Sequence, residues 1–306
     1  MTSAAGIAAR APLSTAAFAT LLFIALLFGG NHVAARLAFD HGVDVVTAVA
    51  VRSGLTAIAV ALVVWQQRVP LKLEAKHRWS LPAIGVLVAA QSYCLYSAVA
   101  RIPVALALLA FNLYPLTTAL WAWALYGHRA ERGVWMAMPV ILCGLALALD
   151  VFGAASGLGA QAQWARIGAG VAFAVAAAVI FGLALVLTQH EAGALDGRLR
   201  TATTMGLVGL LAAVAGVAQG GFHLPNAAAG WWGLAALTVL YGTAFTIMFT
   251  VLPRLGVVGN SAIMNVEPIF ALALAWALLG QRIAPVQVAG GLLVVACVVW
   301  LGLRRR

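Results

Sequence analysis

The sequence predicts an all-α, polytopic membrane protein with ten transmembrane helices in two inverted five-helix repeats. Three observations predict it. The first is composition: 64% of the residues are hydrophobic and only 8% are charged, too few to cover the surface of a soluble fold. The second is that the apolar residues fall into runs of about 20, the length a helix needs to cross some 30 Å of hydrocarbon. The third is internal: displaced by 153 residues, Asn112, Pro115, Trp123 and Gly127 fall on Asn265, Pro268, Trp276 and Gly280, and Phe28-Gly29 falls on Phe181-Gly182. The repeats divide as residues 1–152 and 153–306.

Taken in order, the spans are expected at 15–38, 45–65, 80–100, 104–126 and 133–152, then at 166–189, 200–218, 230–252, 258–279 and 286–303. The first follows a lone Arg10 in the manner of a signal peptide, but it continues through Leu37 and has a partner in the second half, so it is read as a mature helix. Barrel strands are excluded because they are about 10 residues long and alternate in polarity, whereas these runs are twice that length and apolar on all sides. Trp65, Trp79, Trp231 and Trp232 stand at predicted helix ends, where indoles anchor in the headgroup layer. The loops are too short for an extramembrane domain.

Charge orients the bundle. With the N-terminus inside, 13 of the 18 Lys and Arg residues fall in inner segments, among them Arg68, Lys76, Arg129 and Arg198, against Arg36, Arg101, Arg166 and Arg282 outside. Both termini are therefore expected in the cytoplasm, with the chain multi-pass in the inner membrane. Scattered topogenic charge forms no aromatic-interleaved groove, so nucleic acid is not an expected partner; the lipid bilayer, with its anionic headgroups, is. Five spans per repeat is odd, so the second copy enters from the opposite face. Two inverted units that exchange conformations give alternating access, with a substrate site near the midplane.

The stretches NLYPLTTALWAWALYGHR and NVEPIFALALAWALLGQR, each leading into a Gly/Ala/Val-rich last helix, resemble the two EamA repeats of the drug/metabolite transporter superfamily over nearly the whole chain. Arg52 in VRSGLTAIAVAL is similar to the second-helix arginine of that pattern, and within the superfamily the chain looks most like YddG-type aromatic amino-acid exporters. The resemblance implies ten helices, inverted repeats and efflux of small metabolites. The chain departs from it at Gly127-His128 and Gly280-Gln281, where members commonly carry Gly-Glu.

Candidate site residues are the polar and aromatic ones at mid-helix depth. Glu267 precedes Pro268 within the ninth span, where an ionised carboxylate costs on the order of 3 kcal/mol. It reads either as a site for a proton or a substrate ammonium, or as a carboxyl pinned by the backbone groups that Pro268 leaves free. Arg52 and His32 carry structural or ion-coupling roles, and pairing of Arg52 with Glu267 stays open. The repeats diverge most in the third helix, QSYCLYSA, so Gln91, Ser92, Tyr93 and Tyr96 are expected to line the cavity, with the two tyrosines on one helical face. Tyr114, facing Glu267 under the repeat offset, joins them, as do Tyr241 and Phe245 of the eighth helix. Asn112, equivalent to Asn265, is placed at the same depth with a bond across the pseudo-two-fold axis. Gly29, Gly30, Pro115 and Pro268 are the candidate hinges, with close packing the other reading of the glycines.

Cys94, Cys143 and Cys297 show no metal-ligand spacing and no catalytic motif is present, so no cofactor, metal or enzymatic activity is expected. The function read from the sequence is export of small metabolites, most of all aromatic and other neutral amino acids. Efflux of cationic drugs is the rival transport reading, and a membrane-embedded enzyme or scaffold the rival from another class.

Overall fold

A computed structural model describes residues 15–71, 73–128, 132–251 and 262–304. The first repeat contributes α1 (Thr15–Asp40), α2 (Val45–Gln66), α3 (His77–Arg101), α4 (Val104–Phe111), α5 (Tyr114–Tyr126) and α6 (Arg132–Ala148). The second contributes α7 (Ala160–Glu191), α8 (Gly197–Ala218), α9 (Ala228–Thr250), a 3₁₀ turn (Ala262–Val266), α10 (Glu267–Leu279) and α11 (Pro285–Arg304). No strand occurs among the described residues. Helices α4 and α5 together make one span, and the 3₁₀ turn with α10 makes another, which gives ten spans.

Three expected spans are modified, each for a local reason. The span at 104–126 is broken at Asn112–Leu113, because Pro115 in the first turn of α5 has no N–H to continue the ladder from α4. Pro268 starts α10 in the same way after the 3₁₀ turn. The fifth span stops at Ala148, short of 152: Asp150 takes a φ of 51° and its carboxylate accepts from the backbone N–H groups of Ala155 and Ser156, which closes a loop. Gly127 and Gly280 end α5 and α10 in left-handed caps at φ 67° and 64°, so the two copies stop by the same device.

Hydrogen bonds at helix ends show that the repeats are inverted. Helices α2 and α8 are equivalent under the repeat, yet the Asp44 cap of α2 meets Gln219 at the far end of α8, with Gln219 Nε2 donating to Asp44 Oδ2 at 2.7 Å. The other end of α2 meets the start of α8 through Gln67 and Arg198. Equivalent helices α6 and α11 are also antiparallel, since Gln287 near the start of α11 donates to Ala148 O at the end of α6 over 2.9 Å. Packing follows the same axis: α1 lies on α9 and α10, and its counterpart α7 lies on α3 and α5.

These crossings need glycine. A Cβ on Gly29 would stand 3.1 Å from both Ala271 N and Glu267 O on α10, and a Cβ on the equivalent Gly182 would stand 2.8 Å from Thr118 N on α5. Helix α1 runs unbroken through Gly29 and Gly30, while the interruptions lie just ahead of Pro115 and Pro268. Around Asp44 and His223 an apolar plug of Ala35, Ala38, Val49, Val208, Leu234 and Leu237 seals one end of the bundle. That end is called the His223 face below, and the opposite one, with Gln67 and Asp196, the Arg198 face.

Candidate functional site

Below the plug lies a cavity of about 810 Å³ whose walls reach Gln67, Asp196 and Arg198, so it opens on the Arg198 face. Helices from both repeats build it. Its floor against the plug is a buried polar network centred on Tyr96, which is 1% exposed. Arg52 of α2 donates from Nη1 to the Tyr96 hydroxyl at 3.1 Å and from Nη2 to Ser92 Oγ at 3.1 Å. The Tyr96 hydroxyl in turn donates a hydrogen bond to Asn31 Oδ1 at 2.9 Å. The guanidinium carbon also lies 3.9 Å from the centre of the Tyr241 ring, so the cation is held by aromatic faces and neutral oxygens.

The carboxylate is elsewhere. Glu267 Oε1 is 3.3 Å from His32 Nε2, and the His32 ring meets the Tyr96 ring edge-on with centroids 5.5 Å apart. Arg52 and Glu267 therefore do not pair: the rings of Tyr96 and His32 stand between two opposite charges on one cavity wall. Glu267 keeps 23% of its side-chain surface exposed. Backbone release by Pro268 explains where α10 starts, and it leaves the Glu267 side chain on His32 and the cavity.

Two aromatic groups complete the walls. Phe28, Tyr241 and Phe245 pack edge-on or tilted beside Glu267, with Phe28 and Phe245 centroids 5.5 Å apart. Phe111, Tyr114 and Phe181 form the second group. At the axis, Tyr114 donates to Asn265 Oδ1 at 2.6 Å and Asn112 Nδ2 reaches Asn265 O at 3.5 Å, so the repeat-equivalent asparagines meet.

Of the sequence candidates, Gln91, Ser92, Tyr96, Asn112, Tyr114 and Tyr241 face this cavity, as do Phe245, Glu267, His32 and Arg52. Tyr93 is a correction. It is 46% exposed, packs on Phe173 of α7 and lies outside the cavity wall. A step of three residues turns a helix by roughly 60° from alignment, enough here to carry Tyr93 off the face that Tyr96 and Ser92 share. Gly29, Gly30 and Pro115 also lie outside the wall, whereas Pro268 lies on it. Sequence reasoning missed Asn31, Phe28 and Phe181. The last two coincide under the repeat offset, which was the signal that could have found them.

At the mouth, Arg198 is bonded to Asp196 (Nη2 to Oδ2 2.6 Å) and also donates to Gln67. The Arg198 side chain holds the Asp196 carboxyl below the usual carboxylate range, aided by backbone N–H groups and opposed by partial burial. Gln281, at one of the positions that depart from the Gly-Glu pattern, accepts from Val104 N at 3.2 Å and so caps α4. A neutral amide suffices for that. Among the described residues no group of three His, Cys, Asp or Glu side chains is placed to hold a metal ion.

A family model described as the EamA-like transporter family matches residues 15–149 and again residues 168–303. No curated protein matches the chain. A solved crystal structure 18% identical to it superposes with a TM-score of 0.63 over 95% of this chain and 99% of that one, a likeness of fold.

Proposed function

The chain belongs to the EamA-like transporter family, a premise that makes it a membrane transporter of small metabolites, and we propose that its cargo is aromatic and other bulky neutral amino acids, exported by alternating access. The observation that carries the reading is the cavity itself: about 810 Å³, sealed at one face and open at the other, with the Glu267 carboxylate set among aromatic rings. A substrate ammonium donates to Glu267 Oε2 while His32 keeps Oε1, and the apolar side chain lies against Phe28, Tyr241 and Phe245. Pseudo-symmetry supplies the motion. Exchange of conformation between the two inverted repeats closes the Arg198 face and opens the His223 face without moving the site off the axis. Lysine and arginine bias makes the Arg198 face cytoplasmic, so this is the loading state of an exporter.

A second reading is efflux of cationic drugs, favoured by the same juxtaposition of Glu267 with Phe28, Tyr241 and Phe245. Flux of labelled phenylalanine in proteoliposomes, with an aromatic quaternary ammonium dye as competitor, separates the two. The amino-acid reading requires saturable phenylalanine flux that Glu267→Gln reduces; dye flux with phenylalanine inert would replace it by the second.

A further inference from the structure

Among the described residues, Arg52 is a cation without an anion. Its side chain is 3% exposed, it lies on the cavity wall, and among the described residues no carboxylate contacts it. One N–H on each terminal nitrogen is taken by a neutral hydroxyl, from Tyr96 and from Ser92, and Nε is buried with no partner. A guanidinium at mid-bilayer depth is costly, and neutral oxygens with two ring faces offset that cost less well than a carboxylate does. Of the two carboxylates that line the cavity among the described residues, Asp196 is paired with Arg198 at the mouth and Glu267 is engaged by His32, whose ring meets that of Tyr96. Opposite charges are thus held on one cavity wall, each on partners other than the opposite charge.

From this separation we infer that Arg52 is the carboxylate-binding pole of the site, so that the transporter selects zwitterions carrying an ammonium for Glu267 and a carboxylate for Arg52. The inference rests on the amino-acid reading above and sharpens it. A planar guanidinium pre-set by Tyr96 and Ser92 presents its remaining N–H groups in a fork that matches a carboxylate, which an ammonium side chain cannot reproduce. An organic cation lacking an anionic group would leave Arg52 uncompensated and add a second positive charge, so the same feature rejects cationic drugs.

The test uses three compounds with one aromatic skeleton: phenylalanine, phenethylamine, which lacks the carboxylate, and 3-phenylpropionate, which lacks the ammonium. Binding to the detergent-purified full chain is read by ligand-induced thermal stabilisation, and flux of labelled phenylalanine is read separately in proteoliposomes. Wild type is expected to prefer phenylalanine over phenethylamine by about tenfold or more, and Arg52→Gln to bring that ratio close to one while preserving preference over 3-phenylpropionate. Should Arg52→Gln not fold, Arg52→Lys is expected to lower the ratio part-way, and Tyr93→Phe, on the exposed face of α3 outside the cavity wall, to leave it within about twofold. A wild-type ratio near one, or Arg52 variants that weaken all three ligands equally, would overturn the inference. Discriminating binding without flux would sink the exporter reading and leave the carboxylate pole standing; no binding of any of the three sinks both.

Discussion

His32 Nε2 and Glu267 Oε1 lie 3.3 Å apart, joining α1 of one repeat to the first turn of α10 in the other at the wall of the cavity. Helix α1 can approach that closely because Gly29, one turn before His32, rests on the backbone of Glu267 and Ala271. The contact is at once a packing feature and the anchor of the proposed ammonium site.

Glu267→Gln keeps the shape and removes the charge. Hydrogen bonds to charged groups contribute about 1.5–3 kcal/mol, so kcat/KM for phenylalanine export is expected to fall by roughly 10- to 100-fold with the protein still folded. His32→Gln is expected to lose less, because the carboxylate remains. Initial-rate flux in proteoliposomes checks both, and equal rates for all three proteins would remove Glu267 from the site.

Tyr96→Phe retains the ring against His32 and deletes the hydroxyl that accepts from Arg52 and donates to Asn31. Buried groups left unsatisfied cost about 1–3 kcal/mol, so the variant is expected to unfold at a measurably lower temperature in detergent. Tyr93→Phe, on the exposed face of α3, is expected to melt with wild type.

Gly29→Leu forces α1 away from α10 and is expected to cost about 1–3 kcal/mol and most of the flux. Gly206→Ala on α8 meets nothing within 4 Å and is expected to raise stability by about 0.5–1 kcal/mol. Thermal unfolding of the pair reads both signs.

Gln219→Leu removes the amide that holds Asp44 at the sealed face. Opening of that face is then expected to be favoured. With Cys94, Cys143 and Cys297 replaced and a cysteine at Thr204 on the cavity wall, labelling by an impermeant thiol reagent from the His223 face should rise several-fold, in line with loss of about 1 kcal/mol at the latch. Unchanged accessibility from both faces would mean the Asp44–Gln219 bond does not govern the exchange.

Asp196 is held below its ordinary value of 3.8, chiefly by Arg198. Because the folded-state value is the lower one, its stabilising effect is complete above about pH 4 to 5 and lost as the pH falls through the folded value. About a third of the side chain is exposed, so the effect is expected to be no more than about 1 kcal/mol. Asp196→Asn should therefore melt slightly below wild type at pH 7, and the gap between them should narrow as the pH falls below about 4.

The fold was largely legible because it rests on length and repetition. Runs of apolar residues long enough to span the bilayer can only be helices there, and a self-copy of five spans can only be inverted. Even the equivalent ends were visible, since Gly127 and Gly280 lie at one repeat offset and both cap in the left-handed region. The site was legible only in part. Depth pointed to Glu267, Arg52 and Tyr96, but the pairing of Arg52 with Tyr96 and Ser92 and of Glu267 with His32 was not readable from any spacing.

By itself the sequence determined the number of spans, their inversion, and the depth at which polar residues collect. Only the tertiary structure decided which side of each helix meets the cavity, that Tyr96 turns inward and Tyr93 outward, that Asn31 belongs to the network, and that two opposite charges stand apart. The reason is physical. A helix in lipid is apolar on its packed side and on its lipid side alike, so periodicity carries no rotational information, and the rotation is set by close crossings such as Gly29 on α10 that involve residues far apart in the chain.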